Sequence, residues 1–148
     1  MTLGLVSVSF RSLSPEVIIK KAKKAGLSCI EWGSDVHAPY NDKEKLKSIS
    51  ELQKKEGIFC SSYGTYFRLG VNDTAQIPHY AEAARILGTD ILRVWCGNKG
   101  SQEYTEEEKS FLVSECRTAA ELAEKNGVTL CLECHNNTFT DTKEAAIF

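Results

Sequence analysis

The stretch GVTLCLECH, residues 127–135, decides how this chain folds. A glycine precedes an apolar run rich in β-formers, which predicts a helix-ending glycine followed by a buried strand. Gly26, Gly57 and Gly88 introduce similar runs, and another run opens the chain. Successive glycines are separated by roughly 30 residues or more, which is the length of one strand–helix–strand unit. The predicted strands are residues 3–10, 27–32, 58–63, 91–96 and 128–134.

The segments between these strands carry the start signals of helices. Ser14 and Pro15 are an N-cap residue and a proline at the first helical position. Three glutamates at residues 106–108 suit the positive end of a later helix. The predicted helices are residues 17–25, 42–55, 75–87 and a fourth that starts near residue 105. Strands that alternate with helices predict an α/β fold of parallel βα repeats, with the helices outside the sheet.

The composition excludes several classes of protein. The 148 residues are 42% hydrophobic and 26% charged, with a formal net charge of -2. These values are typical of a globular domain and provide no basic field for nucleic acid. No apolar run approaches the length of a membrane span, and the start of the chain does not read as a signal peptide. We therefore predict a cytoplasmic protein without nucleic-acid or membrane partners, and with its six cysteines as reduced thiols.

Candidate functional residues are identified by assigning alternate residues of each strand to opposite faces of the sheet. Glu133 and His135 fall on one face at the carboxyl end of the fifth strand, where α/β folds bind their ligands. Arg93 and Trp95 share the corresponding face of the fourth strand. A guanidinium inside a sheet needs a partner, and Glu31 on the second strand is a candidate.

Each of these residues also has a structural interpretation. Glu133 could form an ion pair with Arg93, and His135 could be a hydrogen-bonded rim residue rather than a metal ligand. Cys131 and Cys134 have the spacing of zinc ligands, but residues three apart on a strand point to opposite faces, so we discount a zinc site. The aromatic residues near strand ends belong either to the core or to the walls of a sugar site.

Four segments resemble the sugar phosphate isomerase/epimerase family, the xylose isomerase-like (β/α)8 barrels that also include the endonuclease IV group. They are GLSCIEWGS at 26–34, SYGTYFRLG at 62–70, LGTDILRVWCG at 87–97 and GVTLCLECHNNTFTDT at 127–142. The resemblance implies a partial TIM barrel of about five strands and four helices. Residues 1–148 would be a single domain, the amino-terminal portion of the barrel, since a fifth helix should only be starting at Phe148.

The same resemblance implies a role for each candidate residue. Glu133 would be a ligand of a divalent metal (Mn, Mg, Co or Zn) and one of two carboxylates that exchange a proton with the substrate. The family's other metal ligands come from strands six to eight. The implied reaction is isomerisation or epimerisation of a sugar or sugar phosphate through an enediolate. The residues predicted to bind this substrate are His135, Arg93, His37, Trp32, Tyr63, Tyr66 and Trp95.

Two other functions stay open at this point. A nuclease of the endonuclease IV type would need zinc-binding histidines at the ends of strands three and four, and residues 61–63 and 95–97 contain none. The second alternative is a truncated or oligomeric half-barrel without activity. Because open sheet edges tend to pair, we also expect a homo-oligomer rather than a free monomer.

Overall fold

Strands and helices alternate along the chain in the computed structural model, which describes residues 2–147. The strands are β1 (Gly4–Val6), β2 (Cys29–Gly33), β3 (Phe59–Leu69), β4 (Ile91–Cys96) and β5 (Thr129–Leu132). The helices are α1 (Pro15–Lys24), α2 (Lys43–Glu56), α3 (Ile77–Leu87), α4 (Glu106–Lys125) and the short α5 (Lys143–Ala146). The predicted α/β fold of parallel βα repeats is confirmed.

The five strands form one parallel sheet in the order β1-β2-β3-β4-β5. Each new strand is therefore added beside the preceding one, as in a (β/α)8 barrel, and the chain forms part of such a barrel. The register between β3 and β4 is irregular, because residues 65–67 of β3 lie opposite Val94 alone. This bulge lets β3 run on to Leu69, well beyond the predicted end at residue 63.

Local sequence sets the helix ends. Ser14 Oγ accepts a hydrogen bond from the backbone N–H of Val17, and Pro15 occupies the first helical position of α1. Thr105 and Glu108 bond reciprocally to each other's backbone N–H at the start of α4. Both α2 and α3 end at a glycine in the left-handed conformation. The signals in the sequence therefore place these ends within a few residues.

The core lies between the sheet and its helices. On β4, alternate residues are buried against the helices, and the others are partly exposed on the opposite, inner face. The buried set is Leu92, Val94 and Cys96, and the inner set is Ile91, Arg93 and Trp95, as predicted. This alternation decides which side chains can meet a ligand and which can only pack.

Two further strands differ from the prediction at their ends. β1 stops at Val6, and residues Ser7–Phe10 form a 3-10 turn. β5 stops at Leu132, so Glu133 and His135 follow the strand instead of lying in it. The backbone N–H of Glu133 still donates to Val94 O at 3.0 Å, which keeps its side chain on the inner face.

Two further predictions concern the helices: that none spans a membrane, and that a fifth helix starts at the end of the sequence. None of those formed by residues 2–147 has the length and apolar character needed to cross a membrane. The predicted start of a fifth helix at Phe148 lies outside the described residues. The short helix α5 precedes it, with Thr142 Oγ1 accepting a hydrogen bond from the backbone N–H of Ala145.

Candidate functional site

Four polar side chains meet on the inner face near the carboxyl ends of the strands. They are Glu31, Ser62, Arg93 and Glu133, and we call them the inner cluster. Arg93 lies between the two carboxylates: its Nη2 donates to Glu31 Oε1 at 2.8 Å, and its Nη1 donates to Glu133 Oε2. Ser62 Oγ donates to Glu31 Oε2 at 2.6 Å. The predicted Glu31–Arg93 pair is confirmed, and so is the contact between Arg93 and Glu133.

Gly64 makes room for this arrangement. A Cβ atom at Gly64 would lie 2.5 Å from Arg93 Nη2 and 2.8 Å from Glu31 Oε1, both too close for unbonded atoms. A side chain at this position would therefore push the guanidinium away from Glu31. Gly64 pairs directly with Arg93 in the sheet register, which explains why the arginine crosses over it.

Glu133 is the most accessible member of the three-residue ion-pair network. Its side chain is 32% exposed, compared with 20% for Arg93 and 14% for Glu31. Both side-chain hydrogen bonds that it accepts, from Arg93 Nη1 and from Trp95 Nε1, end on the same oxygen, Oε2. The carboxylate is thus held in position on one side while it faces solvent on the other. That is the arrangement needed for a group that exchanges protons or ligands.

Aromatic and cationic side chains border the inner cluster. The Trp95 ring packs against Tyr66 at 5.3 Å and against His135 at 5.0 Å between centroids. The guanidinium carbon of Arg68 lies 4.4 Å from the centre of the Trp95 ring, which is a cation–π contact. We call Tyr66, Arg68, Trp95 and His135 the rim. The structure therefore brings four predicted site residues together around Glu133: Arg93 and Trp95 donate hydrogen bonds to it, and Tyr66 and His135 pack against Trp95.

The other three predicted substrate-binding residues do not lie at this site. Trp32, Tyr63 and His37 are fully buried on the helix side of the sheet. Trp32 Nε1 donates to Gln53 Oε1 at 2.6 Å, Tyr63 Oη donates to Ala38 O at 2.6 Å, and a ring nitrogen of His37 lies 3.1 Å from a backbone carbonyl oxygen. Burial also raises the pKa of the Tyr63 hydroxyl. The structure therefore does not bring these three side chains to the inner cluster: Trp32 and Tyr63 occupy the helix-facing phase of their strands, and His37 lies in the turn after β2.

Arg68 and Ser62 belong to the site but were not predicted. Ser62 could have been found, because it lies two residues before Gly64 and so shares the inner phase of β3. Arg68 shares the same phase, but it lies beyond the predicted strand end at residue 63, and its pairing with Trp95 depends on the bulge at residues 65–67. Its Nη1 donates to Gly97 O at 2.8 Å and, more weakly, to Asn137 O at 3.4 Å.

Arg11 and Asp35 form an ion pair beside the rim. Arg11 Nε donates to Asp35 Oδ2 at 2.6 Å, and Arg11 Nη2 donates to the hydroxyl of Tyr66. Burial alone would raise the pKa of Asp35, but the hydrogen bonds from Arg11 and from the backbone outweigh it and lower that pKa. The pair therefore fixes the orientation of Tyr66 through a charge that stays ionised near neutral pH.

Glu133 and His135 are the residues of this site that could bind a metal ion. Among residues 2–147, however, no three His, Cys, Asp or Glu side chains are arranged to hold one. A divalent ion takes four or more ligands, so the described side chains supply at most part of a shell. Cys131 and Cys134 are free thiols, and Cys134 is exposed.

Comparison with known proteins identifies the kind of barrel. The family model described as xylose isomerase-like TIM barrel matches residues 19–147. A curated 3-dehydroshikimate dehydratase from Bacillus anthracis is 26% identical over 151 aligned positions, which cover 96% of this chain and 54% of that protein. This chain therefore spans about half the length of the curated relative that it matches.

Solved structures share the fold over the same extent. A probable 3-DHS dehydratase from Bacillus anthracis superposes with a TM-score of 0.85 and 24% identity, over 99% of this chain and 57% of its own. The IOLI protein with a bound zinc atom gives 0.80 and 19%, over 99% and 56%. D-psicose 3-epimerase gives 0.70 and 17%, over 89% and 52%. At these identities the structural similarity establishes the fold.

Proposed function

This chain belongs to the xylose isomerase-like TIM barrel family, and we propose that it carries part of an active site for proton transfer at a carbon next to a carbonyl group. The observation that carries the proposal is the placement of Glu133. Its carboxylate is fixed by Arg93 and Trp95 at the carboxyl end of β5 and remains about one-third exposed. Carboxyl ends of strands are where barrels of this kind place their catalytic groups.

In the proposed reaction Glu133 accepts the proton of the carbon next to the carbonyl. The C–H bond breaks, and its electron pair moves through the new C=C bond onto the carbonyl oxygen, which becomes an enolate. Arg93 holds Glu133 ready for this step, and His135 lies on the same rim as a group able to bind a hydroxyl of the substrate. Glu133 would also be one ligand of a divalent metal ion (Mn, Mg, Co or Zn), which supplies Lewis-acid stabilisation of the oxyanion when bound.

Two outcomes of the enolate fit this site. Return of the proton at the opposite face or at the neighbouring carbon gives epimerisation or isomerisation of a sugar or sugar phosphate. Loss of a hydroxyl group from the next carbon gives dehydration, the activity named for the Bacillus anthracis relative. Both reactions begin with the same proton removal, so Glu133 has the same role in each.

The charge of the rim favours an anionic substrate. Arg68 stacks on Trp95 and bonds to two backbone carbonyls, and no carboxylate within residues 2–147 forms a salt bridge with it. Its positive charge is therefore available for the carboxylate of a dehydroshikimate-type ring or the phosphate of a sugar phosphate. A neutral ketose would leave this charge unused. We accordingly rank a carboxylated hydroxy-ketone or a sugar phosphate ahead of a free sugar.

The proposal is tested with the native gene product supplied with Mn or Mg. The substrates are 3-dehydroshikimate, ketose phosphates and free ketoses in deuterated water, and nuclear magnetic resonance follows exchange of the proton next to the carbonyl. Glu133→Gln should lower the turnover of the active substrate by about 100-fold or more with the fold retained. Glu121→Gln, at an exposed position of α4, is the matched control and should leave turnover unchanged.

The outcome also separates the substrates. Dehydration of 3-dehydroshikimate removes one water and yields an aromatic ring, whose ultraviolet absorbance reports product directly. Epimerisation leaves absorbance unchanged and gives a new sugar resonance. Unaltered exchange in Glu133→Gln would show that Glu133 is a structural partner of Arg93 and would overturn the proposal.

A further inference from the structure

Two cysteine thiols meet at a position that the proposed reaction does not use. Cys96 is the last residue of β4, and Cys116 lies midway along α4. Their Sγ atoms are 3.9 Å apart, within hydrogen-bonding distance for thiols. Both lie on the helix side of the sheet, away from the inner cluster, and all six cysteines of the chain are free thiols.

A small reagent can reach this pair. A cavity of about 200 Å3 lies between α4, the end of β5 and the short helix α5. Its lining includes Cys96, Cys116, Leu112, Arg117 and Leu132. One water molecule takes up about 30 Å3 in the liquid, so the cavity has room for a molecule such as hydrogen peroxide. Cys96 is 2% exposed, whereas Cys116 is partly exposed, so a reagent meets Cys116 first.

The two thiols differ in reactivity. The hydrogen bond between them lowers the pKa of Cys116 and raises the pKa of Cys96, whose burial raises it further. Cys116 is therefore the thiol that ionises first, and the thiolate is the form that attacks peroxides and disulfides. Exposure and ionisation thus favour the same residue as the nucleophile, with Cys96 beside it as the resolving thiol.

We propose that Cys96 and Cys116 are an oxidisable dithiol that closes to an intramolecular disulfide in the presence of hydrogen peroxide. The Cys116 thiolate attacks one peroxide oxygen, the O–O bond breaks, and the hydroxide that leaves takes up a proton. Cys96 then attacks the sulfur of the resulting sulfenic acid, the S–S bond forms, and the S–O bond breaks with loss of a second water. The two thiols lose two electrons, and the peroxide is reduced to two waters.

Closure needs a modest movement. The S–S bond length is about 2.05 Å, so the sulfurs must approach each other by somewhat less than 2 Å, through side-chain rotation and a small shift of α4. The link would tie α4 to the residue after Trp95. Cys96 directly precedes Gly97, whose carbonyl oxygen accepts the hydrogen bond from Arg68. Oxidation would therefore restrain the backbone that carries Trp95 of the rim.

Peptide mapping of the reduced native gene product tests the proposal. The protein is treated with graded hydrogen peroxide, alkylated while folded, unfolded and alkylated again with an isotope-labelled reagent, and then digested with trypsin without reduction. Cleavage after Arg93, Lys99, Lys109 and Arg117 yields residues 94–99 and 110–117, each with a single cysteine. The expected product is this peptide pair joined with the loss of two hydrogens, formed at lower peroxide than any other cysteine pair.

Serine variants separate the roles of the two thiols. Cys116→Ser should abolish the linked pair and protect Cys96 from peroxide. Cys96→Ser should instead leave Cys116 as a sulfenic acid that dimedone traps. Cys134→Ser removes an exposed thiol and is the matched control, which should form the link as the parent does. Circular dichroism confirms that each variant is folded.

Two results would overturn the proposal. One is alkylation of both thiols at peroxide concentrations that already oxidise Cys134. The other is a Cys96–Cys116 link that forms only after the protein is unfolded. Either would show that the pair is a packed thiol contact without oxidative chemistry.

Discussion

The two faces of the sheet hold polar groups in different ways. On the helix side, Trp32 and Tyr63 are buried and satisfy their polar atoms with neutral partners, Gln53 and a backbone carbonyl. On the inner face, Glu31 and Arg93 are charged, partly exposed and joined to a third charge. Neighbouring positions of one strand thus differ in chemistry. The phase of the strand, rather than the presence of an aromatic ring, separates packing residues from candidate site residues.

The largest effect should come from removing an aromatic ring on the helix side. Trp32→Ala leaves a cavity and removes the donor to Gln53 Oε1, so the free energy of unfolding should fall by about 3–5 kcal/mol. Trp95→Ala, on the partly exposed inner face, is the matched comparison and should cost clearly less. Urea unfolding monitored by circular dichroism gives both values. Equal losses would mean that the two faces of the sheet are equally well packed.

An intermediate effect is expected from Arg93→Gln. Glu31 would lose its charged partner and keep only Ser62, and an uncompensated carboxylate at 14% exposure is costly. The expected loss is about 2–3 kcal/mol in the free energy of unfolding. The double variant with Glu31→Gln should recover part of it, since the unpaired charge is then gone. Arg117→Gln, at an exposed position, is the control and should be nearly neutral. Additive losses in the double variant would show that the two side chains are not coupled.

The smallest effect belongs to the ion pair beside the rim. Arg11 is about half exposed, so Asp35→Asn should cost no more than about 1 kcal/mol near neutral pH. The pKa of Asp35 is lowered below its ordinary value of 3.8, so its stabilising contribution is complete above that value and is lost as the pH falls through the folded-state pKa.

Urea midpoints at about pH 6 and about pH 3 test this dependence. The difference between the parent and Asp35→Asn should shrink at the lower pH, because the carboxyl group of the unfolded parent takes up a proton there and this favours the unfolded state. A difference that is the same at both pH values would show that Asp35 acts through packing or neutral hydrogen bonds.

Much of the fold follows from the sequence. Helix-ending glycines, N-cap residues and apolar runs predict every strand and the four long helices, and β4 begins and ends as predicted. The Glu31–Arg93 pair follows from alternation plus the need of a buried charge for a partner. These predictions succeed because local geometry and the need of a buried charge for a partner can both be recognised in short stretches of sequence.

The rest of the site depends on which phase of each strand faces inward and on the pairing between strands. Trp32 and Tyr63 lie close to strand ends, but each is one residue out of phase with the inner cluster. Arg68 reaches Trp95 only because residues 65–67 bulge out of the β3–β4 ladder. Alternation within a strand places Trp32 and Tyr63 once Glu31 and Gly64 define the inner phase, whereas the approach of Arg68 to Trp95 depends on pairing between strands, a long-range property that alternation leaves undetermined.

Gly64 has an evolutionary consequence. It carries no reactive group, yet the space above its Cα is filled by the charges of Arg93 and Glu31. A replacement at this position would displace the arginine from Glu31, so the two sites are expected to change together in descendants of this sequence. In a survey of natural variation Gly64 would then be as constrained as Arg93, although its own constraint comes only from volume. Invariance at this position should therefore not be read as a sign of chemistry.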